Sequence, residues 1–311
     1  MILNAVFVVL SIFLLIGCGM LLNKLGWIDE SGAKLLTRLT VNVGMAGLVV
    51  NNMLTEFSKS SLLASVGGIG VSYLSMLLTL AAGWLAARLF KIEPNRRGAF
   101  ITMFGFSNAV FIGLPVAVAL FGEQVTPFAL IYYIANTSLF WSLGNALLAR
   151  DAGVKGKFQL KKLFPIPLIA FVACIFMLLF NLTLPDFLLD TAGYLGNMVT
   201  PLSLIYTGHI IMRMIRDKQV KWRKGYGGML LGRFLVAPAF LLLASVVFPI
   251  PSVMRGALFI QASMPVMAQT TIVAGEHGAD AEYIAGGIAL STALSILTIP
   301  AYMAFLARLP W

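Results

Sequence analysis

The sequence predicts an all-α polytopic membrane protein of ten transmembrane helices, a 5+5 inverted repeat with helices 4 and 9 broken and crossing. Three observations predict it. The 311 residues are 59% hydrophobic and only 11% charged, with a mean hydropathy of +0.93. A soluble domain carries about 25% charged residues, so this much apolar surface needs lipid as its solvent. Apolar runs of the length that spans a hydrocarbon core, about 20 residues, occur ten times. Two of these runs, the fourth in each half, are interrupted by proline and by polar residues.

The runs lie near 4–22, 34–54, 61–90, 97–121, 125–149, 163–181, 191–214, 226–248, 253–275 and 281–307. The first lacks a basic start and continues unbroken to Leu22, so it reads as a retained helix and not a cleaved signal. Cys18 and Cys174 fall inside runs and read as free thiols. The net charge of +10 raises the question of nucleic acid, but the basic residues sit in short loops between runs. Arg88, Lys91, Arg96 and Arg97 follow run 3. Arg150, Lys155, Lys157, Lys161 and Lys162 follow run 5. Arg213, Arg216, Lys218, Lys221, Arg223 and Lys224 follow run 7, and Lys24, Lys34 and Arg38 surround the loop after run 1. Opposite them stand only Lys59, Arg255 and Arg308. That asymmetry makes the odd-numbered loops cytoplasmic, places both termini outside the cytoplasm, and excludes a nucleic-acid partner.

An odd number of helices per half makes the second half enter the membrane from the other side, so any structural repeat is inverted. The division is 1–150, a basic cytoplasmic linker 151–162, and 163–311.

The interruptions hold the chemistry. In run 4, Phe104-Gly-Phe-Ser-Asn-Ala-Val-Phe-Ile-Gly-Leu-Pro115, Pro115 removes a backbone donor and frees a carbonyl near Phe111, while Gly113 loosens the helix. Ser107 and Asn108 bring hydrogen-bonding side chains to the same place. Run 9 carries Pro265 and then Gln269, Thr270 and Thr271. A simple proline kink, or hydroxyls bonded back to their own helix, would account for each feature alone. Together they predict two opened helices whose second halves present N–H groups and partial positive charge, an arrangement suited to an anion. Opened backbone is tolerated at membrane depth only against protein or a water-filled cavity.

Run 5 adds Tyr132, Asn136, Thr137 and Ser138, with Asn136 a donor to a carboxylate or a partner for a neighbouring helix. Arg233 lies in run 8, either snorkelling or functional. His209 reads as a hydrogen-bonded packing residue. Every Asp and Glu maps to a loop or a run end, so a cation site built on a buried acid has no acid to use. No enzyme motif, metal-ligand set or cofactor-binding pattern is present.

The string Asn108-Ala-Val-Phe-Ile-Gly-Leu-Pro115, Asn-x₄-Gly-x-Pro, resembles the fourth-helix pattern of the auxin efflux carrier family, which includes plant auxin exporters and bacterial malate-type permeases. Pro201-Leu-x₅-Gly208, Pro238 after Arg233, Pro265 with Thr271-Ile-Val-Ala-Gly-Glu-His277, and Ser291 to Pro300 are similar too. The resemblance implies a scaffold from helices 1, 2, 6 and 7, dimerisation through it, and a transport domain from helices 3–5 and 8–10 that moves like an elevator. It matches Asn108 and Pro115 to crossing residues and places Asn136 at a substrate contact. Thr270 stands where plant relatives have a second crossing proline, and Val43-Gly-Met-Ala-Gly47 replaces a proline of helix 2.

The expectation is therefore a secondary transporter of a small organic anion in a bacterial inner membrane, with a mono- or dicarboxylate, malate- or auxin-like, bound by Asn108, Pro115, Asn136, Gln269, Thr270 and Thr271. Ser107, Tyr132 and Arg233 are secondary candidates, and Gly113, Pro115 and Pro265 make the helix breaks. No metal or other cofactor is expected. A Na⁺-coupled bile-acid-type symporter, an anion channel and a membrane-embedded enzyme are the alternatives.

Overall fold

The computed structural model describes residues 2–55, 58, 66–154, 164–216 and 222–306. Lys59, Lys155, Lys157, Lys161, Lys162, Lys218, Lys221 and Arg308, with most of the linker 151–162, lie outside the described residues.

The described chain is almost wholly helical. Its helices are α1 (Ile2–Lys24), α2 (Glu30–Thr55), α3 (Val66–Leu89), α4 (Arg97–Gly105), α5 (Ala109–Phe121), α6 (126–151), α7 (Ile166–Leu179), α8 (Asp186–Asn197), α9 (Val199–Arg216), α10 (Tyr226–Val247), α11 (Ser252–Ala262), α12 (Gln269–His277) and α13 (Ala281–Leu306). Among the described residues α2, α3, α10 and α13 are long and apolar enough to cross a membrane. Run 4 is divided between α4 and α5, and run 9 between α11 and α12. Run 7 begins earlier than expected, at Asp186 behind Pro185, and bends at Met198 between α8 and α9.

Among the described residues four stretches adopt the wider π turn: Leu39–Gly44 in α2, Ala109–Gly113 opening α5, Phe140–Gly144 in α6 and Gly232–Val236 in α10. Each shifts the helical phase, and such turns concentrate at functional sites.

Two sets of helices form. Helix α1 lies along α9, and α2 along α7 and α8. The first contact is made at glycine: a Cβ on Gly19 would lie 2.0 Å from the Ile205 carbonyl oxygen, and one on Gly208 would lie 1.9 Å from that of Ile16. Lipid gives helices no hydrophobic drive to associate, so contact this close is what holds the pair. In the second set α3 packs on α4, α6 and α10, and α10 on α11. Most of the largest fully buried side chains, including Arg233, Tyr132, Phe100 and Phe106, belong to it, while Leu14, Val246 and Leu297 are 70% or more exposed on the outside. Helix α5 lies against α9 and so joins the two sets.

Candidate functional site

The two breaks satisfy each other's backbone. Helix α4 ends at Gly105, and Phe106 turns extended at φ −100°, ψ 128°. Ser107 pairs antiparallel with Val266. The Asn108 N–H donates to the Pro265 carbonyl at 2.8 Å, and the Met267 N–H donates to the Phe106 carbonyl at 3.1 Å. Opened backbone that would be costly in lipid therefore finds its partners in the opposite half of the chain.

Side chains hold both segments in place. The Asn136 amide grips Ser107 on two sides: its Nδ2 donates to the Ser107 carbonyl at 2.9 Å, and its Oδ1 accepts from the Ser107 N–H at 3.3 Å. On the other segment, Ser291 Oγ accepts from the Val266 N–H at 3.2 Å. Asn108 caps α5, its Oδ1 accepting from the Phe111 N–H at 3.3 Å. In the π turn that follows, the Leu114 N–H goes to Ala109, and Pro115 offers none. The carbonyl of Val110 is thus freed along with that of Phe111, which the proline alone would free.

Arg233 does not snorkel. It is 0% exposed, and it donates through Nη1 to the Phe104 carbonyl at 3.0 Å and through Nη2 to the Ala262 carbonyl at 2.7 Å. These are the last turns of α4 and α11, each the negative end of a helix dipole. Tyr132 lies beside Ser107 and Arg233.

The opposite pole of the breaks is a cavity of about 390 Å³ at the N-termini of α5 and α12. Helix α12 presents Gln269, Ile272, Val273 and Glu276, one face at helical spacing, and α6 presents Tyr133, Asn136, Thr137 and Trp141. Thr37, Arg38, Val41 and Asn42 of α2 and Tyr206 of α9 close the other side. The Phe111 and Tyr206 rings meet at 4.8 Å between centroids. Two buried hydroxyls on this wall, Ser107 Oγ and Thr137 Oγ1, have no hydrogen-bond partner among the described residues.

The cavity thus gathers Ser107, Asn108, Asn136 and Gln269 from the expected residues. It leaves others outside. Thr270 and Thr271 sit on the flank of α12 away from it, and Thr270 is fully buried. Tyr132 points from the neighbouring face of α6 toward Arg233. Gly113 packs on Gln261, since a Cβ there would lie 2.2 Å from Gln261 Oε1. Pro115 lines a second cavity of about 280 Å³ with Leu48, Glu123, Asn197 and Thr200. There Glu123 Oε2 accepts from Asn52 Nδ2 at 3.1 Å. Arg38 was not singled out from sequence as a site residue, while Thr137 was named only among the polar residues of run 5 and Ser291 only in the resemblance of run 10. Arg38 read as one more loop charge, although its position two turns into an amphipathic helix was a usable signal.

No cluster of three metal-ligating side chains occurs among the described residues. His209 Nδ1 meets Asn23 Nδ2 at 2.8 Å, and His277 Nε2 meets Asn145 Oδ1 at 2.8 Å.

A family model described as membrane transport protein matches residues 5–159 and 152–303. An uncharacterized transporter of Methanocaldococcus jannaschii is 26% identical over 299 residues, which is 94% of this chain and 96% of the relative. An uncharacterized transporter of Methanothermobacter thermautotrophicus is 26% identical over 301 residues, 94% of this chain and 95% of the relative.

Proposed function

The chain belongs to the membrane transport protein family, the auxin efflux carrier group, and from that premise we propose that it is a secondary carrier of a small organic anion working by alternating access. It is a multi-pass membrane transporter and not an enzyme. The observation that carries the reading is the polarity of the two breaks. The C-terminal ends of α4 and α11 converge on Arg233, and the N-terminal ends of α5 and α12 converge on the cavity. The partial positive charge of those helix N-termini then faces a space that also holds Asn108 and Arg38.

In this reading the anion docks between the N-termini of α5 and α12 at the crossing of helices 4 and 9. Asn108 contributes most directly: Phe111 occupies its Oδ1, which leaves Nδ2 to donate into the cavity. Asn136 acts one step back by fixing the Ser107 backbone. The set α3–α6 with α10–α13 is the part that moves, and α1, α2 and α7–α9 are the part that stays. The loops that carry the basic residues face the cytoplasm of a bacterial inner membrane, and the second copy of a dimer sits on the stationary set.

Uptake of labelled carboxylates into proteoliposomes tests this. The expected result is saturable flux with counterflow, lost in Asn108→Ala while the protein stays folded. Flux that neither saturates nor shows counterflow would mean a channel, and a chemically altered product would mean an enzyme.

A further inference from the structure

We infer that Asn52 and Glu123 form a latch that holds the carrier shut on the side away from the cargo cavity, and that this latch opens once in each transport cycle. The inference rests on the carrier reading above and adds to it a contact that decides which side is open.

The two residues belong to different sets. Asn52 lies near the end of α2, in the stationary set. Glu123 opens the short turn Glu123–Val125 between α5 and α6, in the moving set. Gly122 ends α5 at φ 82°, a positive value that suits glycine, and the chain leaves the helix there to bring Glu123 against α2. Asn52 Nδ2 donates to Glu123 Oε2 at 3.1 Å. Each partner is braced from behind. Asn51 Nδ2 donates to Asn52 Oδ1 at 3.3 Å, which turns the Asn52 donor toward Glu123. Asn51 in turn lies against α8, where a Cβ on Gly193 would be 3.4 Å from its Oδ1. On the other side the Thr126 hydroxyl donates to the same Glu123 oxygen at 3.4 Å. Asn52 is 3% exposed, so water competes little for the bond.

The latch sits at the far end of α2 from the cargo cavity. Arg38 marks the cavity end, and Asn52 lies about 20 Å farther along at 1.5 Å per residue. Beside the latch, the cavity of about 280 Å³ separates the two sets. Pro115, Val118 and Ala119 of α5 line one wall, and Leu48, Asn197 and Thr200 line the other. Groups that face a void forgo dispersion contact. Packing therefore does little to hold the sets together here, and the bond to a charged group carries the closure. Parting the sets at this end breaks that bond and disturbs few packed atoms.

Labelling with a membrane-impermeant maleimide, in intact cells and in inside-out vesicles, tests the assignment. The reporter is Ile272→Cys, on the cargo-cavity wall and 56% exposed, in the full chain with Cys18→Ser and Cys174→Ser. In this parent the reporter should react mainly from the face of the basic loops. Glu123→Ala should raise its reaction from the opposite face roughly tenfold, as the loss of one hydrogen bond to a charged group implies. Asn52→Asp sets two carboxylates against each other and should do the same. Adding Glu123→Gln to Asn52→Asp supplies a donor again and should return the rate to near that of the parent, a recovery that mere loosening of the fold would not give. Unchanged melting of each variant is the folding control; if Glu123→Ala melts early, Asn52→Asp with and without Glu123→Gln decides alone. Opposite-face reaction that stays at the parent rate in these variants overturns the inference. So does a rise in Asn52→Asp that Glu123→Gln fails to cancel. Either result leaves the carrier reading standing, since that reading answers to saturable counterflow. Equal reaction from both faces in the parent, with flux that does not saturate, overturns both.

Discussion

Arg233 and Asn136 never touch the same partner, yet together they hold one backbone corner: Arg233 takes the Phe104 carbonyl at the end of α4, and Asn136 takes both polar groups of Ser107 three residues on. A buried cation closes the helix, and a neutral amide holds the extended segment.

Replacing Arg233 should therefore harm the fold as much as the activity. Arg233→Met leaves two helix-end carbonyls unpaired, and hydrogen bonds involving a charged group contribute roughly 1.5–3 kcal/mol each. A loss of about 3 kcal/mol or more is expected. Arg233→Lys should recover little, because a single ammonium lacks the fork that reaches Phe104 and Ala262 together. Unfolding of both variants in detergent, followed by loss of helical signal, measures this.

Asn136→Ala and Asn108→Ala should separate. The first leaves the buried N–H and C=O of Ser107 without their partner, costing about 2–4 kcal/mol. The second removes an N-cap whose loss costs about 1 kcal/mol. Both should abolish carboxylate transport, but only Asn136→Ala should lower the melting temperature by several degrees. Equal melting shifts would count against the division of roles.

The pairing of α1 with α9 should tolerate no side chain at its two glycines. Gly208→Val puts carbon where the Ile16 carbonyl oxygen already sits, and Gly19→Val does the same at Ile205. Gly17 has open space around its missing Cβ. Gel filtration of the purified variants should show Gly17→Ala behaving as wild type and both valine variants aggregated or lost.

Asp29 predicts a local response to acid. Its carboxylate accepts from the Gly32 N–H at 2.7 Å and from the Ser31 hydroxyl, and these bonds, the first above all, hold its pKa below the ordinary 3.8. A carboxylate with a lowered folded pKa stabilises the cap fully above its unfolded value and loses that contribution as pH falls through the folded one. Hydrogen exchange at Gly32 and Ala33 should stay slow down to about pH 4, near the unfolded carboxylate value, and quicken below it. In Asp29→Asn exchange should lose this pH dependence.

The breaks and their side chains were legible because proline, glycine and asparagine are unusual at membrane depth: Asn108, Pro115 and Pro265 mark the disturbed segments without help from coordinates. What faced the cavity was less so. Gln269, Thr270 and Thr271 look equivalent as a string, but α12 begins at Gln269 and gives the cavity only its i, i+3, i+4 and i+7 positions, so both threonines turn away. That phase depends on where the helix starts, which the Val266–Ser107 pairing decides from far away in the chain. Arg233 was visible as an odd charge in an apolar run, but its two carbonyl partners lie 129 and 29 residues away. Nothing local announces them.

The pairing of Ser107 with Val266 also has a bearing on how the protein is made. Chains emerge N-terminal half first, at roughly 5–20 residues per second. The stretch that carries Phe106 and Asn108 is thus synthesised well before Pro265 and Met267, its eventual partners, leave the ribosome. Asn136 belongs to the same early half and can take up Ser107 at once. The amide then acts as a built-in holding partner for a segment whose permanent neighbours have not yet been translated, and its loss should show first as protein degraded during insertion.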